Sequence, residues 1–163
     1  MNTFAKWSTT ALLIGGLALG LALILLFVPG GLGYPSSWKG TTSYPGDLYG
    51  YSCASSTEFI YCVGGASAAT NTTGTLTDAV YYAAPLSSGG IQSWSRATDY
   101  PNNRVGQSCV VAGVDLYCVG GIITNAVYYA AILPSGNLSS WNATTSYPIS
   151  ISGQSCVAST GYL

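Results

Sequence analysis

The chain of 163 residues has no histidine, and only four Lys and Arg stand against five Asp and Glu. Without imidazole there is no Ser-His or Cys-His nucleophile pair and no imidazole metal site. So few cations exclude a basic surface for nucleic acid, because phosphate binding needs clustered Lys or Arg. The outer surface must instead be built from Ser, Thr, Asn, Gly and Tyr. Such a surface suits a glycosylated or an acid-exposed protein, since few of its groups titrate near neutral pH. A helical period of 3.6 is also missing from residue 38 onward.

A long apolar run is present, and it lies at the N-terminus. Ala11 to Val28 reads ALLIGGLALGLALILLFV, with no charge between Lys6 and Lys39. A run of this length crosses a hydrocarbon core as a helix, and it exceeds the usual h-region of a cleaved signal. The expectation is a short cytoplasmic tail over 1–10, a transmembrane signal anchor over 11–28 and a Pro/Gly linker over 29–37. Lys6 biases the tail to the cytoplasm, which puts the remainder outside a cell membrane crossed once. Secretion after signal cleavage is the alternative.

Self-comparison then shows a repeat. Trp38, Trp94 and Trp141 each begin W-x5-Y-P, and eight residues after each Pro stands Cys53, Cys109 or Cys156. A Gly and a Ser precede each Cys: Gly50 and Ser52, Gly106 and Ser108, Gly153 and Ser155. Nine residues after Cys53 and Cys109, a second Cys opens C-V-G-G at Cys62 and Cys118. A-V-Y-Y-A-A follows, at Ala79 to Ala84 and Ala126 to Ala131. The Trp94–Trp141 period is nine residues shorter than Trp38–Trp94, and the whole difference falls between the Gly pair and A-V-Y-Y. One loop varies while the frame keeps register, as in a rigid repeat with a tolerant surface loop. Gln107–Val111, Leu116–Val119, Ala126–Ala131 and the stretch around Trp141 predict about four strands per period.

The run Leu116-Tyr117-Cys118-Val119-Gly120-Gly121, followed by Tyr128-Tyr129, Trp141 and Pro148, resembles the Kelch motif. The resemblance covers residues 38–163 as two full repeats and the start of a third. It implies an all-β fold of tandem four-stranded antiparallel blades, a partial propeller following the N-terminal helix. The Cys pair and the Tyr-rich third strand resemble secreted and surface microbial Kelch-like proteins more than intracellular adaptors. Some secreted Kelch-like oxidases hold copper through His, so that analogy fails on the residues present, and no cofactor is expected.

The cysteines follow the repeat. If Gly113-Val114 is a two-residue turn, Ala112 faces Asp115, Val111 faces Leu116, Val110 faces Tyr117 and Cys109 faces Cys118. That places the two Cys at a non-hydrogen-bonded pair, close enough for a disulfide. Disulfides Cys53–Cys62 and Cys109–Cys118 are expected. Buried free thiols are the alternative, and an all-thiolate metal site would need pairs from neighbouring blades to converge. Leu163 aligns with Leu116, so a partner for Cys156 is expected two residues further on. The array is read as a piece of a longer one, or as one completed by other subunits, since propellers typically need about 4–8 blades.

Residues that recur in every unit are expected to build it, and a site is expected among those that differ. The Trp and Tyr positions are thus read as packing and the Gly pairs as positive-φ or close-approach positions. The unit-specific features are the loop Ala66 to Asp78 and the residues Arg96, Asp99 and Arg104, where the next unit has Ala143, Ser146 and Ile151. These three are possible contacts for a carboxylate or a sugar; the alternative is a solvated surface pair. Sequons at Asn71, Asn137 and Asn142 lie in predicted loops or turns. The resulting expectation is a non-enzymatic surface module that binds a glycan or protein ligand, with no nucleic-acid partner. A structural envelope component is the alternative. A glycan-active enzyme completed by missing blades is a minor one, because Asp47, Glu58, Asp78 and Asp115 form no evident carboxylate pair.

Overall fold

The computed structural model describes residues 39–67, 74–159 and 162. The tail 1–10, the apolar run 11–28, the linker 29–37 and the sequon at Asn71 lie outside the described residues. Among the described residues every regular element is a strand, and no helix is long and apolar enough to cross a membrane.

Two four-stranded antiparallel sheets follow one another along the chain. The first contains β2 (Ser52–Ser55), β3 (Ile60–Val63), β5 (Val80–Ala83) and β6 (Ser95–Arg96), paired in that order. The second contains β7 (Gln107–Ala112), β8 (Asp115–Gly120), β9 (Val127–Ala131) and β10 (Asn142–Ala143), again paired in chain order. A two-stranded ribbon joins β1 (Leu48–Tyr49) to β4 (Ala66–Ser67), which opens the longer loop of the first unit.

Register explains why the same residue types recur. Cys53 opposes Cys62 and Tyr61 opposes Tyr82 in the first sheet; Cys109 opposes Cys118 and Tyr117 opposes Tyr129 in the second. Ala112 opposes Asp115 and Val111 opposes Leu116, so the two-residue turn expected at Gly113-Val114 is the one observed. Gly113 carries φ +63, which a glycine adopts without a Cβ penalty. In the first unit Ser56 closes a longer turn, its Oγ accepting from the amides of Glu58 and Phe59.

The junction between the sheets is made by the Gly and Ser that precede each Cys. The Gly106 amide donates to the Gly50 carbonyl and the Gly153 amide to that of Gly106, both at 2.8 Å. The Cys109 amide donates to Ser52 Oγ at 2.8 Å, and the Cys156 amide to Ser108 Oγ at 2.9 Å. Gln107 Nε2 donates to the Val63 carbonyl at 2.7 Å, and Gln154 Nε2 to that of Val119 at 2.5 Å. The Gly pair closes the other side: Gly65 N–H reaches the Arg104 carbonyl at 2.7 Å and Gly121 N–H that of Ile151 at 2.8 Å. Gly64 and Gly120 hold φ near +65, and a Cβ on either would run into those same carbonyls. Glycine is therefore required twice over, by conformation and by space.

Aromatic residues lock the units together. Tyr100 leaves the first unit with its amide on the Asp78 carbonyl, while its ring meets Tyr128 and Trp141 of the second edge-on at 5.5 and 4.9 Å. The Trp141 indole N–H returns to the Thr98 carbonyl at 3.2 Å. Tyr61 is fully buried, stacks on Tyr82, and donates its hydroxyl across the junction to the Gly136 carbonyl at 2.9 Å. One apolar cluster holding Tyr61, Val63, Val80, Tyr100, Leu116 and Leu138 draws on both units. Burying a ring of this size contributes about 2–3 kcal/mol.

Candidate functional site

The four paired cysteines form disulfides Cys53–Cys62 and Cys109–Cys118, each with Cα atoms 4.1 Å apart. That short separation belongs to a non-hydrogen-bonded antiparallel pair, the position the turn register requires. Cys118 and Cys62 are buried and their sulfurs are consumed in the bond, so they fasten the hairpins. Cys156 is a free thiol of intermediate exposure. Disulfides of this kind are compatible with an extracellular or secreted location.

A groove opens on the first unit where its unit-specific features meet. Its volume is about 300 Å³, and its walls include Tyr44, Leu48, Thr75, Leu76, Tyr81 and Arg96. β4 and the loop behind it supply one wall, through Ser67, Thr75, Leu76 and Thr77. β5 and β6 supply the floor, because Tyr81 opposes Arg96 in the sheet.

Arg96 is the electrostatic centre of this groove. Its Nε donates to Asp99 Oδ1 at 2.8 Å, and its Nη2 lies 2.8 Å from the same oxygen and 3.9 Å from Asp78 Oδ1. Its guanidinium sits 5.6 Å from the centroid of the Tyr81 ring, within reach of a cation–π interaction. A hydrogen bond to the Tyr81 hydroxyl, opposed by slight burial and aided by Asp99, raises the Arg96 pKa and keeps the charge fixed. Tyr44 stacks on Tyr51 and meets Tyr81 and Trp94 edge-on. The Tyr44 hydroxyl is buried with no hydrogen-bond partner among the described residues. Burial, with the neighbouring Tyr81 and Tyr51, pushes its pKa up to about 12.

Of the three residues singled out by their difference between units, two come together and one does not. Arg96 and Asp99 form an ion pair. Arg104 turns away: its Nη1 donates to the Ile122 carbonyl at 3.2 Å, and its aliphatic stem packs where Gly121 leaves room. The expected Arg-Asp-Arg cluster is therefore an Asp-Arg-Asp cluster, with Asp78 in the place assigned to Arg104. Asp78 carried the same signal, since its counterpart in the second unit is Asn125, whose Nδ2 donates to the Tyr147 carbonyl. Asn137 is exposed in a turn as expected, and its Oδ1 accepts from the Thr98 amide at 2.9 Å. Asn142 is exposed too, but it opens β10 rather than lying in a loop, because pairing with Tyr129 extends the sheet to it.

No protein-family model and no curated protein matches the chain. Among solved structures the chain is similar to that of YjhT, with a TM-score of 0.54 and 18% identity over 74% of this chain. The match spans 34% of the YjhT chain, about a third of its length. The likeness is one of fold.

Proposed function

We propose that the chain is a non-enzymatic binding module displayed outside the cell, built from Kelch-like blades of a β-propeller and carried on an N-terminal membrane helix over 11–28. The observation that carries this reading is the convergence of unit-specific residues on one groove. In a repeat, shared residues are accounted for by packing. Here Arg96 and the loop residues Thr75, Leu76 and Thr77 line one opening, and Asp78 and Asp99 hold Arg96 beside it. A rigid frame with one elaborated loop region is the usual arrangement of a recognition surface. The low charge and the exposed Asn137 and Asn142 accord with a glycosylated surface protein, and the disulfides with an oxidising space.

The second unit supplies its own control. It carries Ala143, Ser146 and Asn125 where the first has Arg96, Asp99 and Asp78, so the fold accommodates those side chains. The full chain with Arg96→Ala, Asp99→Ser and Asp78→Asn together is expected to fold normally and to lose attachment to surfaces that the unmodified protein coats. Equal attachment by both proteins would defeat the reading.

A structural envelope component is the second reading, favoured by one observation. Tyr147 is 42% exposed although its counterpart Tyr100 is 2% exposed, and Ile149, two residues on, is exposed as well. An apolar edge of this kind invites assembly. Ordered arrays forming from pure protein, with no ligand captured, would favour this reading over the first.

A further inference from the structure

In a binding module, the groove beside Arg96 specifies the chemistry of its occupant, and the inference drawn from it rests on that reading of the chain. One guanidinium faces two carboxylates, so the cluster bears a net negative charge. Arg96 is already bound to Asp99 through Nε and Nη2. An anionic ligand would have to displace Asp99 from that contact and would meet Asp78 as a like charge. A cationic ligand would compete with a guanidinium that already occupies the face of Tyr81 and the space between the carboxylates. A neutral ligand disturbs neither interaction. Each carboxylate accepts several hydrogen bonds, and only part of that capacity is used by Arg96. The remaining acceptors call for hydroxyl or amide donors.

The rest of the lining agrees. Ser67, Thr75 and Thr77 present small polar side chains on the loop wall, while Leu48 and Leu76 present apolar ones at the same opening. A volume of about 300 Å³ lies at the lower end of the range for small-molecule sites. The occupant must then be small, uncharged, rich in donors along its rim and apolar on its faces. We infer that the groove between Tyr44, Leu76 and Arg96 binds a neutral sugar ring, the terminal or exposed residue of a glycan. Arg96 and the hydroxyls of Ser67, Thr75 and Thr77 meet its polar rim, Asp78 and Asp99 hold the guanidinium in place and offer acceptors beside it, and the leucines cover its C–H face.

The inference is tested with the full chain on an array of oligosaccharides ending in neutral hexoses, N-acetylhexosamines or uronic acids, followed by calorimetric titration. Free methyl glycosides are titrated beside the conjugated glycans, to separate recognition of the sugar itself from recognition of its carrier. Neutral glycans are expected to bind at least tenfold more tightly than uronic-acid counterparts of the same linkage. The triple variant Arg96→Ala, Asp99→Ser, Asp78→Asn should weaken binding by about tenfold or more, since hydrogen bonds to charged groups are lost. Its melting temperature should stay within a few degrees of the parent. Ile123→Asn, on an exposed turn of the second unit, should leave affinity unchanged. A preference for uronic acids, or neutral-glycan binding that survives the triple variant, overturns this inference while leaving a binding module in place. Capture of a protein ligand with no glycan bound does the same. A chain that binds neither glycans nor proteins overturns both this inference and the reading it rests on.

Discussion

At the scale of the residue, three shielded phenols matter most: Tyr61 and Tyr100 at the junction and Tyr44 in the groove wall. Tyr61 and Tyr44 have their pKa values pushed up to about 12, chiefly by burial. Tyr100, deeper still, is raised further for the same reason. A group whose pKa is higher folded than unfolded contributes its stability in full below the unfolded value, about 10, and loses it as pH climbs through the folded one. Resistance to urea is therefore expected to be flat from neutral pH to about pH 9 and to fall steeply between about pH 10 and 12. Urea midpoints measured across that range, with tyrosinate absorbance at about 295 nm followed in parallel, check this. The Tyr61 hydroxyl adds a hydrogen bond to the Gly136 carbonyl that Tyr61→Phe would remove, at a cost of about 1 kcal/mol.

At the scale of the element, the disulfide-closed hairpin is the recurring part. Each bond joins residues that the turn already sets opposite one another, so it reinforces a register rather than creating it. Closing so short a loop stabilises a unit by about 2–3 kcal/mol on loop-closure entropy. Reduction is expected to lower the thermal midpoint markedly while the far-ultraviolet β signal below the new midpoint is kept. A melt in the presence of a strong thiol reductant, followed by circular dichroism, measures both. This hairpin was legible in the sequence because every fact that sets it is local: the turn residues, the alternation and the nine-residue spacing. The β1–β4 ribbon was not, because it joins Leu48 to Ser67 through a loop whose composition signals no strand. Arg104 stands apart from Arg96 and Asp99 for a related reason. Its backbone is held by Thr77 and Gly65 of the first unit, while its side chain is drawn into the space above Gly121 of the second. Such a contact depends on how two units abut, which periodicity within one unit does not encode. Gly50, Ser52 and their counterparts recur as a pattern in the sequence, but their role at the junction depends on donors and acceptors from two neighbouring units, which one repeat does not encode.

At the scale of the whole molecule, frame and recognition surface are separable. Residues 66–78 intervene between the Gly pair and β5, where the second unit manages with Ile122 to Asn125. Replacing 66–78 by the sequence of 122–125 should keep the fold while lowering the unfolding free energy by about 1–3 kcal/mol, because the β1–β4 pairing and buried Ala66 are lost whereas loop length itself enters only logarithmically. The same replacement should abolish glycan binding, since it removes one wall of the groove; denaturant titration and calorimetry on the one protein separate the two effects. The handover from Ser52 to Cys109 and from Ser108 to Cys156 has a geometric consequence of its own. Each unit offers a hydroxyl acceptor on one flank and an amide donor on the other, so the flanks are tongue and slot. The contact is thus head-to-tail, one flank meeting the opposite flank of the next unit. Growth by this contact must run in one rotational sense, and it ends only by meeting its own beginning or by continuing as a filament.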